Sequence, residues 1–212
     1  MHRLLDFWVR RDLLQRSGPK AYRVGPELFR VASLVVQKYE PGRVAQPILQ
    51  ELWSRWQETA SFCLLNPTLR TATIAVSIPS PHPLKYELAP YSVVSLAWGS
   101  LGRAILAHLS KEDVAAVLRH DRRGPLSGRP LPPRRTLAAE LDLIRKRGYA
   151  VLDDAELNVA GVSAPVVQAN LGVIGSLGVI MPATRFGKAM RQRLPAAIVD
   201  GARRLSRALG SN

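Results

Sequence analysis

The sequence predicts an α+β fold in which helices flank an antiparallel sheet, and three observations support this. The predicted elements run in the order helix, strands, helices, strand, strands, helix, which is typical of an α+β domain. Residues 157–184 hold no charged side chain but contain polar residues, glycines and a proline, as expected for buried strands around a turn at Ala169-Asn170. The 212 residues and 47% hydrophobic content suffice for one ordinary domain and a short appendage.

The first 24 residues predict a helix followed by a two-stranded wing. Leu4, Leu5 and Val9 recur at helical spacing. Residues 17–19 are Ser-Gly-Pro, which favours a turn, and side chains of different polarity alternate along residues 21–24 as in a strand. This order is that of the second half of a winged helix-turn-helix.

We therefore expect residues 1–24 to be the C-terminal remnant of a DNA-binding domain. The exposed cations that would meet DNA phosphates are Arg3, Arg10 and Arg11. Without the helices that support a recognition helix, binding is expected to be weak, free of sequence preference and strongly screened by salt.

Apolar periodicity and turn residues predict the remaining elements. Helices are expected over residues 26–39, 44–59, 99–109, 136–147 and 182–209, with a further helix that begins after Ser110. Strands are expected over residues 61–65, 71–78, 149–152, 159–168 and 171–181, and residues 86–94 are expected to be extended. Pro41-Gly42 is expected to break the chain, Ser110 and Thr136 to cap helices, and Gly148 to end one. The organisation predicted is a linker helix over residues 25–40 and a main domain over residues 41–212.

The formal charge of +14 admits two kinds of partner, nucleic acid or an anionic membrane surface. The basic residues are spread over residues 1–24, 120–135 and 185–212, so much of this charge is expected on a solvated surface. Only the first of these regions lies on an element shaped to meet DNA, and no membrane partner is predicted. The uncharged stretch 157–184 is interrupted too often by polar residues and glycines for a membrane helix.

Enzyme classes find little support in the sequence. The four histidines are not at metal-ligand spacing, and Cys63 is the only cysteine, in a strand that predicts a buried thiol. Asp153 and Asp154 could do acid–base work, but acids in a turn between strands are more often solvated. No metal, cofactor or catalytic residue is predicted. The single cysteine and the absence of an N-terminal apolar run favour a cytoplasmic protein.

Several short segments, taken together and in order, resemble the IclR family of bacterial transcription regulators. Three of them match the end of that family's DNA-binding domain: Arg3-Leu4-Leu5, Leu13-Leu14 and Tyr22-Arg23-Val24-Gly25. The others match its effector-binding domain: Glu58-Thr59, Gly102-Arg103-Ala104-Ile105-Leu106-Ala107, Glu140-Leu141, Ile144-Arg145, Gly148-Tyr149-Ala150, Ala164-Pro165-Val166 and Leu205-Ser206 through Gly210. The resemblance implies a GAF-like fold for residues 41–212.

A helix that begins at Gly99-Ser100 offers free N–H groups and a positive dipole end to a carboxylate, although a plain helix start explains the same residues. The resemblance favours the binding site. It implies that an effector acid is held by the amides of Ser100 and Leu101 and by an acidic residue after the Gly-Tyr strand, which is Asp153 or, because the following loop is shortened, a residue one position away. We expect Gly102 to supply a third amide. The resemblance adds residues of the last strands, around Ser163 and at Gly178 and Ile180. We expect the apolar walls to come from Val94, Val162 and Ile180.

Serines of some relatives are replaced here by Gly178 and Ile180, so fewer polar groups are expected in the pocket. This favours a larger or more apolar acid, such as an aromatic one, over a very small keto acid. The sequence therefore predicts a ligand-responsive transcription regulator that forms dimers or tetramers and is present mainly as its effector-binding domain. The alternative is a stand-alone GAF-like binding or enzymatic module without DNA binding.

Overall fold

The computed structural model describes residues 2–38 and 40–210. The chain forms two compact units, Met1–Glu40 and Pro41–Asn212. The predicted end of the linker helix at Tyr39 lies outside the described residues. Among the residues described, no helix has both the length and the apolar character that crossing a membrane requires.

The smaller unit contains the predicted helix and wing. Its elements are α1 (His2–Arg10), β1 (Leu14–Arg16), β2 (Tyr22–Val24) and α2 (Pro26–Lys38). The two strands are antiparallel, with Leu14 opposite Val24. Gly25 follows the wing because a Cβ atom there would lie 2.0 Å from the carbonyl oxygen of Asp12. The backbone can therefore turn tightly into α2 only without a side chain.

The larger unit is one antiparallel sheet with helices on both faces. Its helices are α3 (Glu40–Trp56), α4 (Gly99–Leu106), α5 (Lys111–His120), α6 (Arg134–Arg147) and α7 (Lys188–Gly210), with a 3₁₀ turn at Ala183–Arg185. Its strands are β3 (Thr59–Asn66), β4 (Thr71–Ile78), β5 (Val93–Val94), β6 (Ala150–Asp154), β7 (Val159–Gln168) and β8 (Gly172–Pro182). They are ordered β5-β4-β3-β8-β7-β6, which confirms the predicted α+β class.

The alternation of side chains along the strands divides the core into two layers. One face of the sheet, with Phe62 and Leu177, packs against α3 and α7. The opposite face, with Cys63 and Ile74, packs against a layer that includes α4 and α6. The small residues of β7 and β8 belong mainly to this second face, and they allow α4 to approach the sheet closely.

Several predicted boundaries are wrong for identifiable reasons. Pro41-Gly42 lies within the first turn of α3, where a proline is tolerated because its missing N–H has no helical partner. Thr136 does not cap α6, which begins two residues earlier after Pro133. Residues 86–92 are irregular, and only Val93–Val94 pairs as a strand. Ser110 and Gly148 do act as predicted: Ser110 accepts the amide of Asp113, and Gly148 ends α6 with φ of 81°.

Candidate functional site

A cavity of about 510 Å³ lies beside α4 on the second face of the sheet. Its walls are predominantly apolar, with Leu88, Val94, Trp98, Leu101, Leu126, Leu157, Val159 and Ile180 among them. Four charged side chains also line it: Arg103, Arg129, Glu140 and Asp154. Two are basic and two acidic, so the lining has no net formal charge. A cavity of this size and polarity is suited to a small organic ligand.

The start of α4 lies in the wall of this cavity. Gly99 adopts a φ of 73°, which favours glycine, and turns the chain into the helix. Trp98, the N-cap residue, makes no side-chain hydrogen bond to the helix start, and the first turn has no acidic residue. The amides of the first turn and the positive end of the helix dipole are therefore not neutralised by a capping carboxylate. Gly99, Ser100 and Leu101 all line the cavity.

A layer of small residues fixes the position of α4 on the sheet. The Ser163 hydroxyl donates to the Ser100 hydroxyl oxygen at 2.8 Å, and Ser176 donates to the carbonyl oxygen of Leu101 at 2.8 Å. A Cβ atom on Gly161 would lie 2.8 Å from the Ser100 oxygen. The glycine therefore leaves room for the serine pair, which sets the orientation of the first turn of α4.

The ion pair Arg103–Glu140 occupies one side of the cavity. Arg103 is one turn beyond the start of α4, and its side chain is only 11% exposed. Its Nε donates to the carbonyl oxygen of Ala97 at 2.6 Å, while Nη1 donates to Glu140. These contacts neutralise the guanidinium and hold it near the helix start. A ligand carboxylate would therefore depend mainly on the backbone amides for its attraction.

A second ion pair borders the cavity on the strand side. Arg129 donates to Asp154 at 2.8 Å and also pairs with Glu156, in the turn between β6 and β7. The backbone N–H of Leu157 and the Arg129 guanidinium hold the pKa of Asp154 below its usual value. Asp154 is thus ionised at neutral pH and still has lone pairs that could accept a hydrogen bond from a ligand.

The proline-rich connection between β4 and β5 forms another wall through Tyr86 and Leu88. Thr59 donates its hydroxyl to the carbonyl oxygen of Tyr86 at 2.6 Å, and the Tyr86 hydroxyl donates to the carbonyl oxygen of Leu157 at 2.8 Å. Arg185 donates to the carbonyl oxygen of Leu84 at 2.9 Å and forms a double hydrogen bond with Glu58. These contacts give an irregular segment a fixed conformation.

The structure brings together only part of the predicted site. Val94, Ser100, Leu101 and Ile180 line the cavity. Ser163 contacts Ser100 from below, and Gly178 lies beside Ser163, where a Cβ atom would be 2.1 Å from the serine oxygen. These two residues support the site without lining it.

Three residues predicted to bind the effector do not line the cavity. Asp153 is exposed and pairs with Arg191 of α7, because it precedes Asp154 by one residue and strand alternation places it on the other face. Val162 belongs to the core against α3 and α7 for the same reason. Gly102 does not line the cavity and instead packs against the chain that leads into α4, since a Cβ atom there would lie 2.0 Å from the carbonyl oxygen of Ser95.

Three residues that line the cavity were not predicted from the sequence: Trp98, which is next to the predicted helix start, and Leu126 and Arg129, which come from a segment distant in the sequence. Arg129 and Leu126 lie in residues 122–133, which their proline and glycine content marked as the least structured stretch. This segment has little regular structure, but its arms are joined by the bridge between Arg123 and Pro130. Trp98 directly precedes the predicted helix start, and that position was the one available signal for it.

Chemistry of other kinds is less well supported. Cys63 is completely buried, and burial raises the pKa of its thiol to about 11, so it is a poor nucleophile at neutral pH. No group of three or more His, Cys, Asp or Glu residues that could hold a metal occurs within residues 2–38 and 40–210. In the smaller unit, Arg3, Arg10 and Arg11 are exposed, and the Arg11 guanidinium lies 5.3 Å from the Phe7 ring centroid.

Fold and cavity together define a sensor-type α+β domain that accompanies a helix and wing. Residues 34–207 match the family described as bacterial transcriptional regulator IclR, C-terminal. The chain therefore belongs to the IclR family of bacterial transcriptional regulators, and it contains the effector-binding domain of that family.

Curated relatives agree with this assignment. The chain is 28% identical to the HTH-type transcriptional regulator BhcR of Paracoccus denitrificans over 97% of the chain and 74% of that protein. It is 23% identical to the transcriptional repressor IclR of Escherichia coli over 99% of the chain and 77% of that protein.

Solved structures share the fold. An IclR transcriptional regulator from a Silicibacter species has a TM-score of 0.83 at 22% identity, covering 100% of this chain and 83% of that one. Thermotoga maritima IclR has a TM-score of 0.75 at 21% identity, covering 99% and 84%. Members of this family are transcription regulators and are generally not enzymes.

Proposed function

We propose that this protein is a transcription regulator whose larger unit senses a small organic acid in the cavity beside α4. The observation that best supports the proposal is the position of the α4 start in the wall of a mainly apolar cavity. The first turn of the helix supplies amide donors and a positive dipole end, and no acidic residue occupies its first turn.

The carboxylate of the acid binds to the backbone amides of Ser100 and Leu101. Ser163 positions this turn through its hydrogen bond to the Ser100 hydroxyl. Because the formal charges of the other lining groups cancel, these amides are the main source of attraction for an anion. Charge-assisted hydrogen bonds of this kind contribute about 1.5–3 kcal/mol each.

The body of the acid lies against Val94, Trp98 and Ile180, and Asp154 accepts a hydrogen bond from a hydroxyl group at its far end. A volume of about 510 Å³ with mainly apolar walls is larger than a two- or three-carbon keto acid can fill. The preferred ligand class is therefore an aromatic or similarly bulky apolar acid, since the affinity of a small ligand depends on the apolar area it buries.

Residues 1–24 are proposed to be part of a winged helix-turn-helix, with Arg3, Arg10 and Arg11 contacting DNA phosphates. The proposed linker, residues 25–40, contains α2, and the proposed effector-binding domain is residues 41–212. We expect the protein to act on DNA in the cytoplasm.

Self-association is proposed to occur through α2, as a dimer or as a tetramer built from dimers. Its apolar side chains Leu28, Val31, Leu34 and Val35 are 38–57% exposed, which is unusual for a row of large aliphatic residues on one helix. A symmetric dimer is the commonest way to cover such a surface.

A stand-alone binding or enzymatic module is the weaker alternative. Family membership disfavours it, and the only cysteine is a buried, poorly acidic thiol. Both carboxylates that line the cavity are paired with arginine, and the lowered pKa of Asp154 makes it a poor proton donor at neutral pH.

Calorimetry with a panel of acids tests the proposal: acetate, pyruvate, hexanoate, benzoate, 4-hydroxybenzoate and 2-naphthoate. We expect the aromatic acids to bind more tightly than acetate and pyruvate. Ile180→Trp should fill the cavity and weaken binding at least tenfold. The matched control is Val167→Trp, which adds the same side chain at a partly exposed position of β7.

A neutral analogue separates charge from shape. Replacing 2-naphthoate with 2-naphthamide should lower the affinity by about tenfold or more, because the amide ligand lacks the charge that the first turn of α4 attracts. If no acid in the panel binds, or if Ile180→Trp leaves the affinity of the bound acid unchanged, the proposed site is wrong.

A further inference from the structure

Residues 122–131 form a hairpin-like segment that lies over the cavity, and this segment is here named the cover. Its arms are joined by hydrogen bonds from the Gly124 amide to the Arg129 carbonyl oxygen at 2.9 Å and from the Leu131 amide to the Arg122 carbonyl oxygen at 3.2 Å. Gly124 packs directly on Trp98, 3.2 Å from its ring at the Cβ position. The cover is thus a unit with its own internal structure.

The base of the cover is fixed to the wall of the cavity through Asp121. The Ser95 hydroxyl donates to the Asp121 carboxylate at 2.5 Å, and the Trp98 indole N–H donates to the Asp121 carbonyl oxygen at 3.2 Å. Both donors come from the residues that lead into α4. Any movement of the cover must therefore pivot near residue 121.

The tip of the cover, residues 125–130, is held differently. Its hydrogen bonds within the described part of the chain are internal to the cover, apart from those of Arg129. Arg129 crosses to the turn between β6 and β7, where it pairs with Asp154 at 2.8 Å and with Glu156. One side chain therefore makes all the polar contacts that hold the tip over the cavity.

The turn that receives Arg129 is firmly attached to the sheet. Asp154 accepts the amide of Leu157 at 3.1 Å, and the Tyr86 hydroxyl donates to the Leu157 carbonyl oxygen at 2.8 Å. The Asn158 carbonyl oxygen accepts the amide of Ala183 at 2.9 Å. The tip of the cover, rather than this turn, is consequently the part that can move.

Leu126 at the tip lines the cavity and is nevertheless 72% exposed. A ligand with an apolar body would cover this side chain and add an apolar contact between the tip and the cavity contents. The closed position is then stabilised by the ligand as well as by the ion pairs of Arg129.

We propose that the cover is a lid over the ligand cavity, latched by Arg129 on Asp154 and Glu156 and completed by contact of Leu126 with the bound ligand. The proposal rests on the proposed function of the cavity as the effector site. The Arg129 side chain is 44% exposed, so its ion pairs are weak enough to break often. Ligand exchange is controlled by this latch.

A single engineered thiol measures opening without any ligand. Ile180→Cys places a cysteine in the cavity wall, and the native Cys63 is fully buried with a pKa raised to about 11, so it adds little background. The rate of reaction of this thiol with N-ethylmaleimide reports how often the cavity is open. We expect Arg129→Gln to raise the rate about two- to fivefold, the range set by a partly exposed ion pair.

The matched control is Arg70→Gln, which removes an ion pair of similar exposure to Asp113, with an N–O distance of 2.8 Å. This change should leave the rate of modification unaffected. An equal rate in the presence and absence of Arg129→Gln would overturn the latch.

A second measurement uses 2-naphthoate fluorescence in stopped flow with the wild-type Ile180. Arg129→Gln and Leu126→Ala should each speed dissociation of the probe, the first through the latch and the second through the lost apolar contact. If Ile180→Trp leaves probe binding intact, the proposed effector site fails. The thiol experiment still decides whether the cover opens as described.

Discussion

The pairing of Glu58 with Arg185 makes the sharpest prediction about stability. The Glu58 side chain is 2% exposed and that of Arg185 is 27% exposed. Nη2 of Arg185 lies 2.7 Å from Oε2 of Glu58, and Nε donates to the other carboxylate oxygen. Removing the guanidinium by Arg185→Ala leaves a buried carboxylate without its partner.

Loss of one member of a buried ion pair costs about 3–5 kcal/mol. We expect the lower end of this range, about 3 kcal/mol, because water can enter the partly exposed space that the arginine vacates. For a domain of this size each kcal/mol lowers the melting temperature by about 2–4 °C, so a decrease of about 6–12 °C is predicted. Urea unfolding followed by circular dichroism gives the free energy, and calorimetry gives the melting temperature.

Two further variants test whether the loss of stability comes from the buried, unpaired carboxylate of Glu58 or from the removal of any arginine side chain. Arg204→Ala removes ion pairs whose side chains are 40–64% exposed and should cost less than about 0.5 kcal/mol. Adding Glu58→Gln to Arg185→Ala should recover part of the loss, because an uncharged amide is less costly to bury. The reasoning is refuted if Arg185→Ala destabilises the protein no more than Arg204→Ala does.

Three other predictions follow from the core and the surface. Gly178→Ala should lower the free energy of unfolding by about 1–3 kcal/mol in urea titrations, because its Cβ would lie 2.1 Å from the Ser163 oxygen; an unchanged value would contradict the packing. Burial raises the pKa of Cys63 from its usual value near 9 to about 11, so the native state keeps the proton longer than the unfolded state. The buried thiol contributes its full stability below pH 9, and the free energy of unfolding falls by at most about 2.7 kcal/mol as the pH rises to 11. Cys63→Ala should not show this fall, and identical pH profiles of the two proteins would exclude the effect. Val31→Glu on α2 should shift sedimentation toward the 23.3 kDa monomer, and a native protein that is already monomeric at high concentration would rule out self-association through this helix.

Most helices and strands could be predicted from the sequence, because their limits depend on residues that are close together in the chain. The strands over 159–168 and 171–181, with their turn at Ala169-Asn170, match β7 and β8 closely, since apolar runs bounded by turn residues decide strand limits. Thr136 was chosen as a cap because of its residue type. The helix instead begins at Arg134, directly after Pro133, so the turn is set by the proline.

The site was less predictable because its walls come from six separate segments of the chain, around residues 86–88, 93–103, 124–129, 140, 151–159 and 180. A shift of one residue moved the acidic group of the cavity from Asp153 to Asp154, since strand alternation allows only one of the two to face it. The prediction that Val162 lines the cavity was wrong for the same reason, because strand alternation places this side chain on the opposite face of the sheet. Arg129 lies in a loop without periodicity, and its partner Asp154 is 25 residues further along the chain. No local sequence pattern therefore indicates this contact.

Amide NMR tests directly whether an acid binds at the start of α4. Titration of ¹⁵N-labelled protein with 2-naphthoate should shift the amide resonances of Ser100 and Leu101 most, with smaller shifts in Trp98 and Ile180. Ile180→Trp should abolish these shifts, while Val167→Trp should preserve them. Saturable binding of 2-naphthoate that leaves the Ser100 and Leu101 amides unmoved, with the largest shifts on α7, would contradict the central claim.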